Sequence, residues 1–383
     1  MNLFKSLSLA FKGGGGRPAL SRYGGGAGVI PTYAEGVSSG DEAPFSYTRD
    51  VEAAYERNPV AQRAVRIVTE GIAGAPLAVS DDRIRALVSA ASAGQPLLET
   101  IAAHLLLHGN AYVQVARGGD GMPAGLYALR PDRVTVEVDV QGWPAAFTYR
   151  AGENHTRFDA ETPDGYPQVI HIKGFHPSDD HYGLGCLGAA AGAVAAHNAA
   201  ARWNAALLGN AARPSGALVH DGGEGGMPLS PEQFDRLRAE LTATFSGARN
   251  AGRPMVLEGG LKWQPISLSP ADMDFVALKA AAARDIALAF GVPPMLLGLP
   301  GDNSYANYRE ANRALWRLTL LPLSGKILDA LAEGLRGWWP DAALSVDLDK
   351  ITALAEDRER LWKQVNAAEF LSDQEKRNIL GVK

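Results

Sequence analysis

Three glycines, Gly183, Gly185 and Gly188, are spaced as G-x-G-x-x-G where a helix is predicted to begin. In dinucleotide-binding proteins this spacing lets the backbone approach a pyrophosphate at a helix N-terminus. Here the preceding predicted strand ends at Phe175, although the nucleotide-binding fold needs an immediate turn from strand to helix. No acidic residue follows about 20 positions later. Close helix packing is the favoured interpretation, and a nucleotide-binding enzyme that uses the Gly183–Gly188 turn is an alternative.

A second group combines residue types that bind metals: His171, His176, Asp179, Asp180 and His181. Their spacing matches no helical His-x-x-x-His pair, so we expect a solvated turn in which Asp179 or Asp180 caps the following helix. Two further histidines, at positions 104 and 108, share a helix face but have no glutamate beside them. The sequence therefore predicts no metal site.

The remaining composition also argues against an enzyme. The chain has no Gly-x-Ser-x-Gly turn, no phosphate-binding lysine loop and no paired catalytic carboxylates. Cys186 is the single cysteine, which excludes an intrachain disulfide and a cysteine-based zinc site and fits a reducing cytoplasm. We predict no catalytic residue, no cofactor and no metal.

Length and charge restrict the remaining classes. A chain of 383 residues, 46% hydrophobic and 21% charged, is typical of a globular protein with two or three structural units. The net charge of −5 disfavours a protein that grips DNA, because such affinity comes from neutralised phosphates. It is compatible with a conduit through which DNA slides. No membrane-spanning segment is predicted, since the most apolar long window, Leu184 to Ala201, is mostly Ala and Gly.

The sequence before Phe175 predicts a flexible arm, then helices, then strands. Residues 1–48 are rich in Gly, Pro and Ser and predict a flexible arm. Helices are predicted from Arg49 to Ala75, with a break at Asn58-Pro59, and from Pro96 to Leu107. Alternating apolar residues then predict five short strands before Phe175: AYVQVAR, GLYALRP, RVTVEVD, AFTYRA and QVIHIKG.

Two long helices enclose a small insert. The first, Gly183 to Asn210, is built of small residues that let helix backbones approach closely. The second, Ser269 to Phe290, begins with a capping Ser-Pro and ends at Gly291. The insert, Ala211 to Leu268, reads as a strand, a helix from Ser230 to Phe245 and two strands, PSGALVH preceding RPMVLEG and LKWQPISL.

The segment after Gly291 is irregular and then helical again. Pro293-Pro294 and the run Gly298 to Ser304 contain too many Gly and Pro for regular structure. Helix is predicted again from Ser304, and Pro322 should kink it. Two short helices, Ile351 to Val365 and Ser372 to Leu380, end the chain.

Several phrases resemble a known family. The run DIALAFGVPPMLLGLPGDNSYANYREANRALWRLTLLPL, Asp285 to Leu323, resembles the portal proteins of tailed bacteriophages and of phage-like gene transfer agents. That family has an "Ia..fgVPp..lg" phrase, then "sy.n.e", then a helix ending in "tl.P". The phrase NPVAQRAVRIVTEGIAGAPLAV and the residues Gly109-Asn110-Ala111-Tyr112 also match. The resemblance covers about residues 50–345.

The resemblance implies an α+β ring subunit of the long-tailed phage type, with a β-rich wing, a two-helix stem, a small α/β clip, a tunnel loop and a short helical crown. On this sequence the parts are a flexible arm (1–48), wing (49–184), first stem helix (185–210), clip (211–268), second stem helix (269–290), tunnel loop region (291–308), long kinked wing helix (309–345) and crown (346–383).

It also implies a function and partners. Portal proteins form a dodecamer at a capsid vertex of the virion or gene transfer agent particle, assembled in the bacterial cytoplasm. Double-stranded DNA passes through their channel without sequence preference during packaging and ejection. The terminase large subunit docks first, then a head-completion adaptor and tail proteins, and the major capsid protein surrounds the ring. A ring connector without packaging duty is a further alternative.

Three sets of site residues follow from the resemblance. The DNA tunnel loop would be Gly298, Leu299, Pro300, Gly301, Asp302, Asn303 and Ser304. The clip surface for terminase and adaptor would include Arg213, Arg249, Arg253 and Lys262, and the stem interface Ala195, Ala199 and Trp203. Asp302 is the only charge of the loop, which suits a low-friction collar, because each Lys or Arg contact to phosphate adds affinity.

Overall fold

The computed structural model describes six stretches of the chain: 47–209, 216–220, 230–245, 261–265, 275–299 and 305–381. Almost all of the predicted N-terminal arm therefore lies outside the described residues. Its last two positions, 47 and 48, begin the first helix instead. Helices and strands are numbered below within the described stretches.

The first helical segment is divided as predicted at Asn58. Helix α1 (Tyr47–Val51) continues into a π-helical turn (Glu52–Glu56), and α2 (Pro59–Ala73) follows. The Asn58 side chain accepts hydrogen bonds from the backbone N–H groups of Val60 and Ala61, both at 3.0 Å. These bonds satisfy two donors at the helix start, and Pro59 needs no partner because it has no N–H.

Two more helices complete the N-terminal layer. Helix α3 (Asp82–Val88), which the sequence analysis did not predict, is capped by Asp81, whose carboxylate accepts from Arg83 N at 2.8 Å. Helix α4 (Leu97–His108) ends at Gly109, whose φ of 83° is accessible to glycine at little cost.

Two three-stranded antiparallel sheets follow. In the first, β4 lies between β5 and β9, and in the second β7 lies between β6 and β8. The strand β8 was not predicted. The bounds are β4 Asn110–Arg117, β5 Pro123–Leu129, β6 Val134–Val138, β7 Pro144–Ala151, β8 Asn154–Asp159 and β9 Val169–Lys173.

Short strands connect distant parts of the chain. Strand β1 (Leu77–Val79) pairs antiparallel with β12 (Leu344–Val346), so a segment near the start lies against one near the end. A small hairpin, β2 (Ala91–Ser92) and β3 (Gln95–Pro96), precedes α4.

The two long predicted helices are present and pack against each other. They are α5 (Cys186–Gly209) and α7 (Phe275–Ala289). The predicted start of the second at Ser269 lies outside the described residues. We refer to α5 and α7 as the paired helices.

Parts of the insert between the paired helices are also described. Strand β10 (Gly216–His220) pairs with β11 (Leu261–Pro265), and α6 (Pro231–Phe245) lies between them in sequence. The predicted cap is confirmed, because Ser230 and Gln233 bond each other's backbone N–H groups at 3.2 and 2.9 Å. The predicted strand RPMVLEG lies outside the described residues.

The last long helix contains an irregular turn. Helix α8 (Tyr305–Leu315) passes through a π-helical turn (Trp316–Leu320) into α9 (Leu321–Leu335). In this turn Leu321 N–H donates to Trp316 O, five residues back. This turn lies directly before Pro322, where a kink is predicted, and proline has no N–H for the regular ladder.

The C-terminal residues form two helices, α10 (Ala355–Ala367) and α11 (Asp373–Leu380), which we call the C-terminal pair. Ser372 and Glu375 form a capping box at the start of α11.

One large apolar cluster unites α2, α3, α4 and α9 with the first half of α5 and the end of α7. A smaller cluster fills the space between the two sheets, around Tyr112, Val134, Val136 and Phe147. We call residues 47–183 together with 290–354 the body. Helices and antiparallel sheets share one chain, which confirms the predicted α+β class. Within the described residues no helix is long and apolar enough to cross a membrane.

Candidate functional site

The G-x-G-x-x-G segment is packed against backbone and leaves no place for a pyrophosphate. A Cβ atom added to Gly183 would lie 2.2 Å from Gly109 O, and one added to Gly185 would lie 2.8 Å from Gly109 N. At Gly188 the same addition meets nothing within 4 Å. The first two glycines thus allow close approach to the turn between α4 and β4. The close packing favoured from the sequence therefore involves the end of α4, at Leu107 and His108, and the turn that follows it.

Asn110 is the centre of this approach. Its buried side chain bonds Gly183 twice, accepting from Gly183 N at 2.7 Å and donating to Gly183 O at 3.1 Å. The same Oδ1 lies 3.1 Å from His171 Nε2, and Nδ2 lies 3.1 Å from His108 Nδ1. One amide therefore joins β4, β9 and the segment that leads into α5. Sequence reasoning included Asn110 only in a family phrase and missed this role.

The histidines around Asn110 are structural. Burial lowers the pKa of His108 to about 3 and that of His104 to about 4. Burial, with a smaller contribution from the nearby Lys173, lowers the pKa of His171 to about 3. These rings are neutral near pH 7. Among the described residues no group of three or more His, Cys, Asp or Glu is placed to hold a metal ion.

The aspartate expected to cap the next helix has a different role. Asp179 Oδ1 accepts from His181 N at 2.7 Å and from Tyr182 N at 2.9 Å. Helix α5 begins only at Cys186, so Asp179 stabilises the turn before it and does not cap the helix.

A second buried amide joins α5 to the body. Asn58 Nδ2 donates to Asn198 Oδ1 at 2.9 Å and lies 3.2 Å from His197 Nδ1. Asn198 Nδ2 in turn donates to Ala53 O at 2.8 Å. The first half of α5 is therefore held at its start and again three turns later.

The far halves of the paired helices are different. Where side chains are described, the last buried residue of α5 is Ala200, and the first of α7 is Ala282. The predicted interface residues Ala195, Ala199 and Trp203 are all exposed, Trp203 to 39%, and their four-residue spacing places them on one helix face. The structure therefore brings these three residues together.

Exposed apolar side chains near the end of α7 were missed. Leu288 is 78% exposed and Leu318, in the π-helical turn, is 77% exposed. Leu288 lies off the buried stripe formed by Ala283, Ile286 and Ala287. The helical spacing of the apolar residues places Leu288 outside this stripe, so the sequence could have indicated that Leu288 is exposed.

The turn after α7 is fixed as far as Leu299. Gly291, with φ of 66°, accepts at its carbonyl a 2.6 Å hydrogen bond from Thr319 Oγ1. A 3₁₀ turn (Pro294–Leu297) then ends at Gly298, with φ of 73°. The remaining predicted loop residues lie outside the described part of the chain: Pro300, Gly301, Asp302, Asn303 and Ser304.

Most of the predicted clip residues also lie outside the described part of the chain. Arg213, Arg249 and Arg253 are not in the described stretches, and Lys262 lies on β11, paired with Val219 of β10.

The described side chains thus fix α5 to the body through two buried amides, Asn58 and Asn110. The chain matches the model of the family described as phage portal protein over residues 59–381, and it belongs to that family. This family is one of structural proteins, so the prediction that the chain is not an enzyme is confirmed.

Similar chains occur in solved particles. One, from a structure titled "Virion of native gene transfer agent (GTA) particle", is 44% identical with a TM-score of 0.69, over 94% of this chain and 96% of that one. Another, from "Neck of native GTA particle computed with C12 symmetry", is 46% identical with a TM-score of 0.67, over 88% and 93%. A Rickettsia felis protein is 38% identical over 346 residues, 86% of this chain and 88% of its own length.

Proposed function

We propose that this chain is the subunit of a dodecameric portal ring at one vertex of a phage-like capsid. The observation that carries the proposal is the exposed face of Ala195, Ala199 and Trp203 on α5, a helix with no buried side chain among the described residues after Ala200. Small residues let a neighbouring helix approach closely, and a cyclic ring pairs one surface with a different surface of the next copy. The neck that contains a similar chain was computed with C12 symmetry, which supports twelve copies.

In this proposal each segment of the chain corresponds to one part of a portal subunit. The wing is 49–184, the stem is 185–210 with 269–290, and the clip is 211–268. The tunnel loop region is 291–308, the long wing helix is 309–345 and the crown is 346–383. Ring closure places the stems side by side around an axial channel.

Double-stranded DNA passes through this channel in both directions, inward during packaging and outward during ejection. The chain carries a net charge of −5, and Asp302 is the single charge of the loop from Gly298 to Ser304. Affinity for DNA rises with each phosphate that Lys or Arg neutralises, so a lining poor in cations lets the duplex slide.

The partners follow the sequence of assembly. The terminase large subunit docks on the clip while DNA enters, and a head-completion adaptor and tail proteins replace it afterwards. The major capsid protein contacts the wing. The basic residues Arg213, Arg249, Arg253 and Lys262 are the proposed docking contacts on the clip.

Electron microscopy of the purified protein tests the ring directly. We expect class averages down the axis to show a closed ring with a central hole, and the subunit count gives the symmetry. A monomer at every concentration, together with particles that fill with DNA in the absence of this protein, would show that the proposal is wrong.

A variant of the clip distinguishes a portal that takes part in DNA packaging from a ring connector without packaging duty. The substitutions Arg249→Gln, Arg253→Gln and Lys262→Gln should leave rings intact and reduce the DNA packaged per particle, because terminase loses its contacts. The matched control neutralises three exposed cations of the C-terminal pair, Arg360, Lys363 and Arg377. Normal packaging by the clip variant would favour the connector.

A further inference from the structure

Helix α8 is poorly anchored by apolar contacts in its first half. Residues 306–310 are all exposed, and the first buried side chain of the helix is Leu315 at its end. The later residues of this helix are held because it continues through the π-helical turn into α9, whereas the first turns have no such support from buried side chains among the described residues.

Charged side chains connect α8 to the first turn of α10. Glu356 forms ion pairs with both arginines of α8. Its Oε1 lies 2.9 Å from Arg309 Nη1, and its Oε2 lies 2.9 Å from Arg313 Nη2. Asp357 Oδ2 lies 3.4 Å from Arg313 Nε, and Glu310 Oε1 lies 3.1 Å from Arg313 Nη1. The Arg313 side chain is only 15% exposed and lies within 4 Å of three carboxylates.

The C-terminal pair depends on polar contacts in the same way. Its described helices bury one side chain each, Val365 and Leu380. Arg358 bonds Asp349 Oδ1 at 2.6 Å and, within the pair, Leu380 O at 2.8 Å, and Trp362 Nε1 donates to Asp349 Oδ1 at 3.2 Å. Segments with few buried apolar contacts open at lower free energy than the core does.

We propose that Arg309 and Arg313 with Glu356 and Asp357 form an ionic latch that holds α8 and the C-terminal pair on each other. Two weakly buried segments then stay ordered together, and both loosen when the charges are screened or removed. The latch lies within one chain and acts whether or not the ring forms. It therefore goes beyond the proposed function and is independent of it. Helix α8 directly follows residues 300–304, so the latch fixes where the helix after that segment begins.

Hydrogen–deuterium exchange on the full-length protein tests the latch. In the double variant Glu356→Gln, Asp357→Asn we expect amides of 306–314 and of 356–366 to exchange about 2- to 5-fold faster, the range for ion pairs near a surface. Exchange in α9 should not change. The matched control is Glu359→Gln, which removes a carboxylate of the same helix that pairs with Lys363 instead.

The salt dependence of exchange and a variant of Arg313 test the ionic latch further. Raising the salt concentration from about 0.1 M to about 1 M should accelerate exchange in both segments of the native protein and much less in the double variant. Arg313→Met should give the same pattern, and combining it with Glu356→Gln should add little, because both remove one interaction.

Unchanged exchange in both segments would overturn the latch. So would acceleration confined to α10, because the carboxylates would then stabilise only the N-terminal end of their own helix.

Discussion

The body and the paired helices are stabilised by different means. The body buries large side chains such as Ile72, Ile101, Leu126 and Ile327 and ties its segments together through Asn58 and Asn110. Beyond Ala200 in α5 and before Ala282 in α7, none of the described side chains is buried, and much of α5 is alanine. Apolar burial contributes about 25 cal/mol per Å², so small side chains that remain exposed give such helices little stability.

This difference in apolar burial indicates which contacts stabilise the body and which stabilise the paired helices. The body has enough buried surface to fold within one chain. The paired helices are fixed to it as far as Ala200 and Ala282, and in the proposed ring neighbouring copies cover the exposed faces beyond these residues. Substitutions in the body should therefore change the stability of the single chain, and substitutions on the paired helices should change assembly.

The largest expected effect is at the glycine crossing in the body. Gly183→Ala places a Cβ atom against Gly109 O and should lower the free energy of unfolding by about 3 kcal/mol or more. Gly188→Ala is the matched control: it meets nothing and should stabilise α5 by about 0.5–1 kcal/mol. Chemical denaturation measures both. Equal effects would mean that the crossing is less tight than described.

The second effect concerns assembly. Ala195→Leu or Ala199→Leu should overpack the helix interface and cost about 1–3 kcal/mol per site in ring closure, while the single chain keeps its stability. Ring yield by electron microscopy or mass photometry measures the change, and Ala367→Leu, an exposed alanine of α10, is the control. An unchanged ring yield would show that this face remains exposed to solvent.

A smaller effect should follow from pH. Burial holds the pKa of His108 at about 3 in the folded body, below its ordinary value of 6.5. Between these values the unfolded chain binds more protons, so stability falls as pH is lowered below 6.5, by about 1 kcal/mol per pH unit for one such group. Denaturation curves from pH 7 to 5 measure the slope.

The pH prediction has its own control. His108→Gln should make the dependence on pH shallower, whereas His155→Gln, on an exposed position of β8, should leave it as it is. The same slope in both variants would exclude His108 as its source.

The smallest effect on stability should come from the predicted tunnel loop. Deleting Gly298 to Asn303 should leave the body and the rings intact and impair DNA retention or packaging. A variant that keeps the length but carries only Gly and Ser at these positions separates the effect of length from that of sequence. If the deletion yields only monomers, the segment contributes to the structure of the ring.

Much of the fold was readable from the sequence. Apolar spacing identified α2 and α8, runs of small or helix-forming residues identified α5 and α7, and alternation identified β4 to β7 and β9. The missed elements have physical reasons. Helix α3 spans two turns, too few for a period, and β8 carries mostly exposed residues on both faces. Strand β12 has three residues and depends on β1, which is distant in sequence.

The site was only partly predictable. The stem-interface residues Ala195, Ala199 and Trp203 came from the family resemblance; the structure shows them exposed on one face of α5, and their role stays a prediction. The functions assigned to Gly298–Ser304 and to the clip arginines came from the family resemblance and stay predictions. Asn110 could not be recognised as a junction, because its partners Gly183 and His171 become neighbours only after folding.

The pairing of β1 with β12 has a consequence for the integrity of the subunit. The two strands lie on opposite sides of the paired helices in sequence, so the body is assembled from both ends of the chain. A protease cut within the insert should therefore produce two fragments that remain associated as one folded unit. Such a nicked subunit should migrate as two bands under denaturing electrophoresis and as a single species under native conditions.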